Sequence, residues 1–174
     1  MGFTSSQSGA ANAFSKLKNS TEPFGTLHAV LVELPKLLAA GYRTIATDMI
    51  DRGYPRLDAR VDFLCCESPR APNIVCNPPF DICDQFVRRA LHLAGGKVAM
   101  IWLARRLNAA RWLANAPLAC TYLLTPRPSM PPGHVIAAGE KPGGGTQDFC
   151  WLVFSRKHKG PPTLHWLCRD GGDQ

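Results

Sequence analysis

Acidic residues are scarce in this chain: 13 Asp and Glu stand against 20 Lys and Arg in 174 residues, for a formal charge of +7. Polyanions are therefore plausible partners, because Lys and Arg gain affinity by releasing counterions from phosphates. No stretch approaches the ~20 apolar residues of a membrane span, and the N-terminus has no hydrophobic signal segment, so no membrane association is expected. The seven cysteines include no CxxC pair and no His at a matching interval. Neither a disulfide framework nor a metal site is indicated, and a reduced, cytoplasmic compartment fits best. No Walker or dinucleotide fingerprint occurs: Gly143-Gly144-Gly145 is followed by Thr-Gln-Asp, not by Lys and a helix. His134 and His158 fall in loop-like segments without a recognisable Ser or Cys partner, which disfavours a hydrolase triad.

What is present reads as an alternation of strands and helices in one domain. Residues 1–21, with much Ser, Gly, Asn and Ala and no carboxylate, read as a flexible lead-in. Residues 22–170 then form a single unit. Leu27–Ala40 is apolar and is expected to be helical, broken near Pro35 and stopped by Gly41. A β-branched run follows at 43–48 and ends in Asp48. Beyond a loop with Gly53 and Pro55, Asp62 sits at the end of a second such run. Asn73-Ile74-Val75-Cys76 is a short apolar run that reads as a buried strand.

Asp81 is placed to cap a helix in which Ile82, Phe86, Ala90 and Leu93 recur at intervals of three and four, until Gly95-Gly96 stops it. A strand at 97–103 and an amphipathic basic helix at 104–115 come next. Another strand, 119–124, precedes a Pro/Gly-rich segment, 125–145, expected to be a loop near the site. The runs 148–154 and 163–167 suggest a closing antiparallel hairpin with a basic tip. The predicted fold class is α/β: a Rossmann-like, mostly parallel sheet with an antiparallel C-terminal hairpin, possibly incomplete at its N-terminus.

The most restricted chemistry lies in Asn77-Pro78-Pro79-Phe80, which ends the apolar run at 73–76. Ligands of open α/β sheets bind beyond the carboxyl ends of strands. Two prolines lack an N–H and fix φ, which keeps the carbonyls of Asn77 and Pro78 out of a local helix. An amide, rigid carbonyls and an aromatic face together suit a flat, amino-bearing group such as a flipped nucleobase. The alternative is a strand ended by a polyproline kink, with Phe80 simply packed in the core. Asp48 is the kind of carboxylate that accepts from ribose hydroxyls, and turn capping is an equal alternative. Between Phe86 and Arg111 stand six cations and no carboxylate. Cys76 and Cys150 fall inside apolar runs and read as packing residues.

These features resemble a family: the S-adenosylmethionine-dependent methyltransferases with the N6-adenine DNA methyltransferase signature, of the small phage-like type. The resemblance runs from about Leu37 to Leu167 and rests on Ala46-Thr47-Asp48, Asp62-Phe63-Leu64, Asn77-Pro78-Pro79-Phe80 and the closing Trp151-Leu152-Val153-Phe154 with Leu164-His165-Trp166. It implies S-adenosyl-L-methionine as cofactor and nucleic acid as partner, with DNA ahead of RNA. Asp48 would hold the cofactor ribose, Asp62 and Phe63 its adenine, and Asn77, Pro78, Pro79 and Phe80 the target base. The family's first motif, an acidic residue followed by a glycine-rich turn, has its nearest counterpart in Glu22-Pro23-Phe24-Gly25-Thr26-Leu27-His28. Only one of the expected glycines is present there, so Glu22 and Gly25 are the candidate contacts of a degenerate motif. A relative that binds nucleic acid without cofactor, and a methyltransferase acting on RNA or a protein glutamine, are the competing readings.

Overall fold

The computed structural model describes residues 27–30, 41–51, 56–68, 71–129 and 145–168, of which 27–30 are described by their backbone alone. Eight strands form one sheet: β1 (Leu27–Val30), β2 (Thr44–Asp48), β3 (Ala59–Arg60), β4 (Asn73–Cys76), β5 (Lys97–Leu103), β6 (Leu118–Thr125), β7 (Phe149–Ser155) and β8 (Thr163–Cys168). Their order across the sheet is β3-β2-β1-β4-β5-β7-β6-β8. Only β7 runs antiparallel to its neighbours, lying between β5 and β6. The expected α/β class and mostly parallel sheet are thus observed.

Leu27–Val30 is a strand, not the start of a helix. It is an interior strand of the sheet, paired in parallel with β2 on one side and β4 on the other. Two complete ladders outweigh the modest helical preference of Leu and Ala. The remainder of that expected helix, 31–40, lies outside the described residues, as do the lead-in at 1–21 and most of the Pro/Gly-rich segment.

α1 (Cys83–Leu93) buries Cys83, Phe86, Val87, Ala90 and Leu93, the i, i+3, i+4, i+7 stripe expected of a helix laid on a sheet. Burial of Phe86, Val87 and Leu93 stabilises the packing by roughly 1.5–3 kcal/mol each. Asp81 does not cap this helix. The chain enters through a 3-10 turn, Phe80–Ile82, in which the Ile82 N–H donates to the Pro79 carbonyl, and no side chain makes a cap bond. At the far end, Gly96 cannot be replaced by a larger residue without conflict. A Cβ there would collide with the Asn73 carboxamide oxygen, which accepts the Lys97 N–H at 2.7 Å.

The expected basic helix at 104–115 is instead two 3-10 turns, Ala104–Arg106 and Arg111–Asn115. Ala110, at φ −85° and ψ 60°, breaks any continuous helix between them. The closing hairpin is also replaced. β8 does not pair with β7 but crosses beyond β6 and runs parallel to it, which adds a strand at the sheet edge. β7, uncharged from Phe149 to Phe154 and fully buried over those residues, is better placed between two strands than at an edge.

The core lies on both faces. One face gathers Tyr42, Val75, Ala99, Ile101, Tyr122 and Trp151; α1 packs on the other, against Ile74, Met100, Trp102, Leu152 and Phe154.

Candidate active site

The parallel strands set the site by register. Ala29 pairs with Ala46 and Val30 with Cys76. Counting two residues on from Ala46 and one on from Cys76, Asp48 and Asn77 stand at the same height, one residue step beyond Val30. They flank the exit of β1, two strand spacings or roughly 10 Å apart. The carboxyl ends of β1, β2 and β4, where a ligand of such a sheet would bind, thus have a carboxylate on one side and an amide on the other.

Each expected residue has a defined setting. The Asp48 Oδ1 accepts the Ile50 N–H at 3.1 Å, the turn-capping bond weighed as an alternative. A carboxylate accepts at about four sites, so this bond is compatible with a second contact to a ribose. Asp58 steadies the same strand, its Oδ2 taking the Ala46 N–H at 2.7 Å. Asp62 is exposed just past β3, and its Oδ1 accepts the Leu64 N–H at 2.9 Å. A short 3-10 turn, Phe63–Cys65, follows it. The Phe63 ring is 4% exposed and stacks on Phe86 at 5.3 Å, so it supports the turn from beneath. Glu22 and Gly25 lie outside the described residues, and in sequence they precede β1.

Asn77 is half-buried, Pro78 buried, Pro79 exposed and Phe80 half-buried. Among the described residues, no backbone donor takes the carbonyls of Asn77 or Pro78, and the local turn closes on Pro79 instead. Phe80 leans on Phe149, with ring centroids 5.4 Å apart and tilted by 39°. Sequence reasoning missed Phe149. Its position at the head of an apolar run was visible, but not that β7 begins beside the exit of β4.

The cysteines near the site are packing residues. Burial pushes the Cys76 thiol up, and the Asp48 charge adds to it; burial likewise raises Cys150 to about 12. Neither supplies a thiolate near neutral pH. Among the described residues, no group of three His, Cys, Asp or Glu is placed to hold a metal ion. No helix among them is long and apolar enough to cross a membrane.

Charge is divided along the sheet. The first 84 residues hold eight Lys and Arg and nine Asp and Glu, the remaining ninety twelve and four. Among the described residues, those up to Asp84, which carry β1 to β4, hold three Arg and seven Asp and Glu, and those after it, which carry β5 to β8, hold ten Lys and Arg and one Asp, so the second half is strongly basic. Among the described residues of the basic half the sole carboxylate is Asp148, whose Oδ1 accepts the Arg127 Nε–H at 2.6 Å.

Strand order, the reversed β7 and the site at the parallel strand ends define the Rossmann-like fold of the S-adenosylmethionine-dependent methyltransferases. Solved structures agree. A protein of Pyrococcus horikoshii proposed to be an RNA methyltransferase matches with a TM-score of 0.60 at 14% identity, over 84% of this chain and 82% of that one. A dimethyladenosine transferase of Plasmodium falciparum gives 0.53 at 11%, over 84% and 61%. The magnesium protoporphyrin IX methyltransferase of Synechocystis, solved with bound S-adenosylmethionine, gives 0.51 at 11%, over 85% and 78%. No protein-family model matches the chain, and no curated protein matches it in sequence.

Proposed function

We propose that this chain is an S-adenosylmethionine-dependent methyltransferase acting on the N6-amino group of adenine in nucleic acid, with DNA the first acceptor to test. The observation that carries the reading is the level placement of Asp48 and Asn77 across β1, with an aromatic ring, Phe80, three residues beyond the amide. Dimethyladenosine transferase, one of the structural neighbours, carries an adenine product in its name, which supports a base as acceptor.

The residues present fit the cofactor on the β2–β3 side. Asp48 would accept from the ribose hydroxyls, and Asp62 with the turn after it would hold the adenine. S-adenosylmethionine, when bound, supplies an electrophilic methyl group. The chain does the rest by positioning. The Asn77 side-chain oxygen and the Pro78 carbonyl accept the two amino protons of the target, which leaves the nitrogen lone pair directed away from them. Phe80, backed by Phe149, presents a face for the base. The nitrogen, cationic once methylated, gives its extra proton to solvent, so no acid or base of shifted pKa is required, and the buried thiols stay out of the chemistry.

A second reading, a degenerate relative that binds nucleic acid without cofactor, is favoured by one feature: between Val30 and Gly41 the sequence contains no glycine. In the family pattern, glycines at that point let the backbone approach the cofactor. Titration calorimetry with S-adenosylmethionine separates the two. Measurable binding on folded protein supports the enzyme, and no heat at millimolar cofactor eliminates it. Transfer of a labelled methyl group to DNA, RNA or a glutamine-bearing protein then identifies the acceptor.

A further inference from the structure

Two of the four exposed large apolar side chains among the described residues, Leu164 at 52% and Trp166 at 61%, lie on one face of β8. Their register explains this. Leu164 pairs with Thr121 and Trp166 with Leu123, while His165 and Leu167 pair with Tyr122 and Leu124. In-register residues of parallel strands point to the same side. His165 therefore stacks on Tyr122 at 5.1 Å, and Leu167 is buried on that inner side. Leu164 and Trp166 project to the face that carries α1, past the point where covering elements end.

The height of Trp166 is equally fixed. It is level with Leu123, Cys150 and, through β7, Trp102. Met100 is level with Cys76, so Trp102 and Trp166 stand at the height of the Asn77-Pro78 exit, four strand spacings or about 19 Å separating β8 from β4. Between them, the carboxyl ends of β5 and β6 release Arg105, Arg106 and Arg127. On the same face the Arg88 guanidinium lies 5.0 Å from the Trp112 ring centroid.

We infer that β8 is a base-stacking platform, on which Trp166 receives an unpaired base of a nucleic-acid strand whose target base lies at Asn77–Phe80. The inference rests on nucleic acid being the acceptor. Charge selects this occupant over a second copy of the chain. Pairing two β8 edges would bring together two halves that each hold, among the described residues, ten cations against one carboxylate, whereas a phosphate backbone is attracted to them. β8 itself, Thr163 to Cys168, carries no Lys, Arg, Asp, Glu or Pro, which leaves an uncharged face of Leu164 and Trp166 with cations around it, a setting in which a single strand can stack a base.

The test uses the full chain and a fluorescently labelled single-stranded DNA oligonucleotide of mixed sequence, with tryptophan emission and anisotropy followed together. Trp102 and Trp151 are 2% and 1% exposed and Trp112 is half-buried, so the comparison is made in a Trp112→Phe background, in which Trp166 dominates the quenchable signal. Binding should quench emission; Trp166→Ala should remove most of the quench and weaken affinity about tenfold, and Trp166→Phe should stay within about threefold of the original. Tight binding that Trp166→Ala leaves unchanged overturns the platform while the enzyme reading stands. If the unaltered protein binds neither DNA nor the matching RNA oligonucleotide, the nucleic-acid reading fails and the platform with it. A stable dimer by light scattering that Trp166→Ala dissociates assigns the surface to a second copy and also overturns the inference.

Discussion

Phe80 and Phe149 hold each other at a tilt of 39° with centroids 5.4 Å apart, and this contact ties the exit of β4 to the start of β7. It gives Phe80 a fixed edge on which a base can stack. Phe80→Ala should lower methyl transfer by at least about tenfold, since a base–aromatic stack is worth roughly 1–3 kcal/mol. Half-burial of the ring limits the accompanying loss of stability to about 1–2 kcal/mol. Labelled transfer and urea unfolding on the same preparation check the split.

Asn77→Ala should abolish transfer and leave S-adenosylmethionine affinity within about threefold, because its side-chain oxygen is assigned to the amino group of the target alone. Calorimetry decides. A collapse of cofactor affinity would place Asn77 on the wrong side of the site.

Gly96→Ala should destabilise the protein by about 1–3 kcal/mol, the usual range for a forced overpacking. The nearest conflict is with the Asn73 side chain, ahead of the Pro72 carbonyl oxygen at 3.2 Å, so Asn73→Ala made together with it should cost less than the two single changes summed. Additive costs in a double-mutant cycle would show that the backbone, not the carboxamide, meets the new methyl.

Stability should be flat from pH 7.5 to about 9 and fall above it. Cys150 is raised from its ordinary 9.0 to about 12 by burial, so the folded state keeps a proton that the unfolded chain releases between those values. That stabilisation is complete below pH 9 and is lost as pH climbs toward 12, by roughly 1 kcal/mol per pH unit for each such thiol, with buried Cys76 adding to the fall. Urea midpoints from pH 7.5 to 10.5 should show the break, and Cys150→Ala should soften it.

Much of the sheet was legible because its strands are apolar and β-branched: 43–48, 73–76, 97–103 and 148–154 all stand out by composition alone. β1 was not, because Leu27–Val30 takes its state from two neighbours distant in sequence, Thr44–Ala46 and Asn73–Cys76. The turn at Ala110 hid inside a good helical pattern for a similar reason, since nothing local in Asn108-Ala109-Ala110 forbids a helix. At the site, the carboxylate and the tetrapeptide were readable as strand ends. Their common height was not, since register belongs to the pairing. The placement of β8 on the outer side of β6 escaped notice because two runs joined by a short basic segment look like a hairpin.

β2 and β4 do not hydrogen-bond to each other; β1 lies between them. Four residues thus serve as the shared ruler that aligns Asp48 with Asn77, by main-chain ladders on both sides. The alignment is indifferent to which side chains those four residues carry, provided each keeps its N–H. A proline at His28 or Ala29 would remove a rung and uncouple the two flanks of β1 while leaving every residue of the site in place.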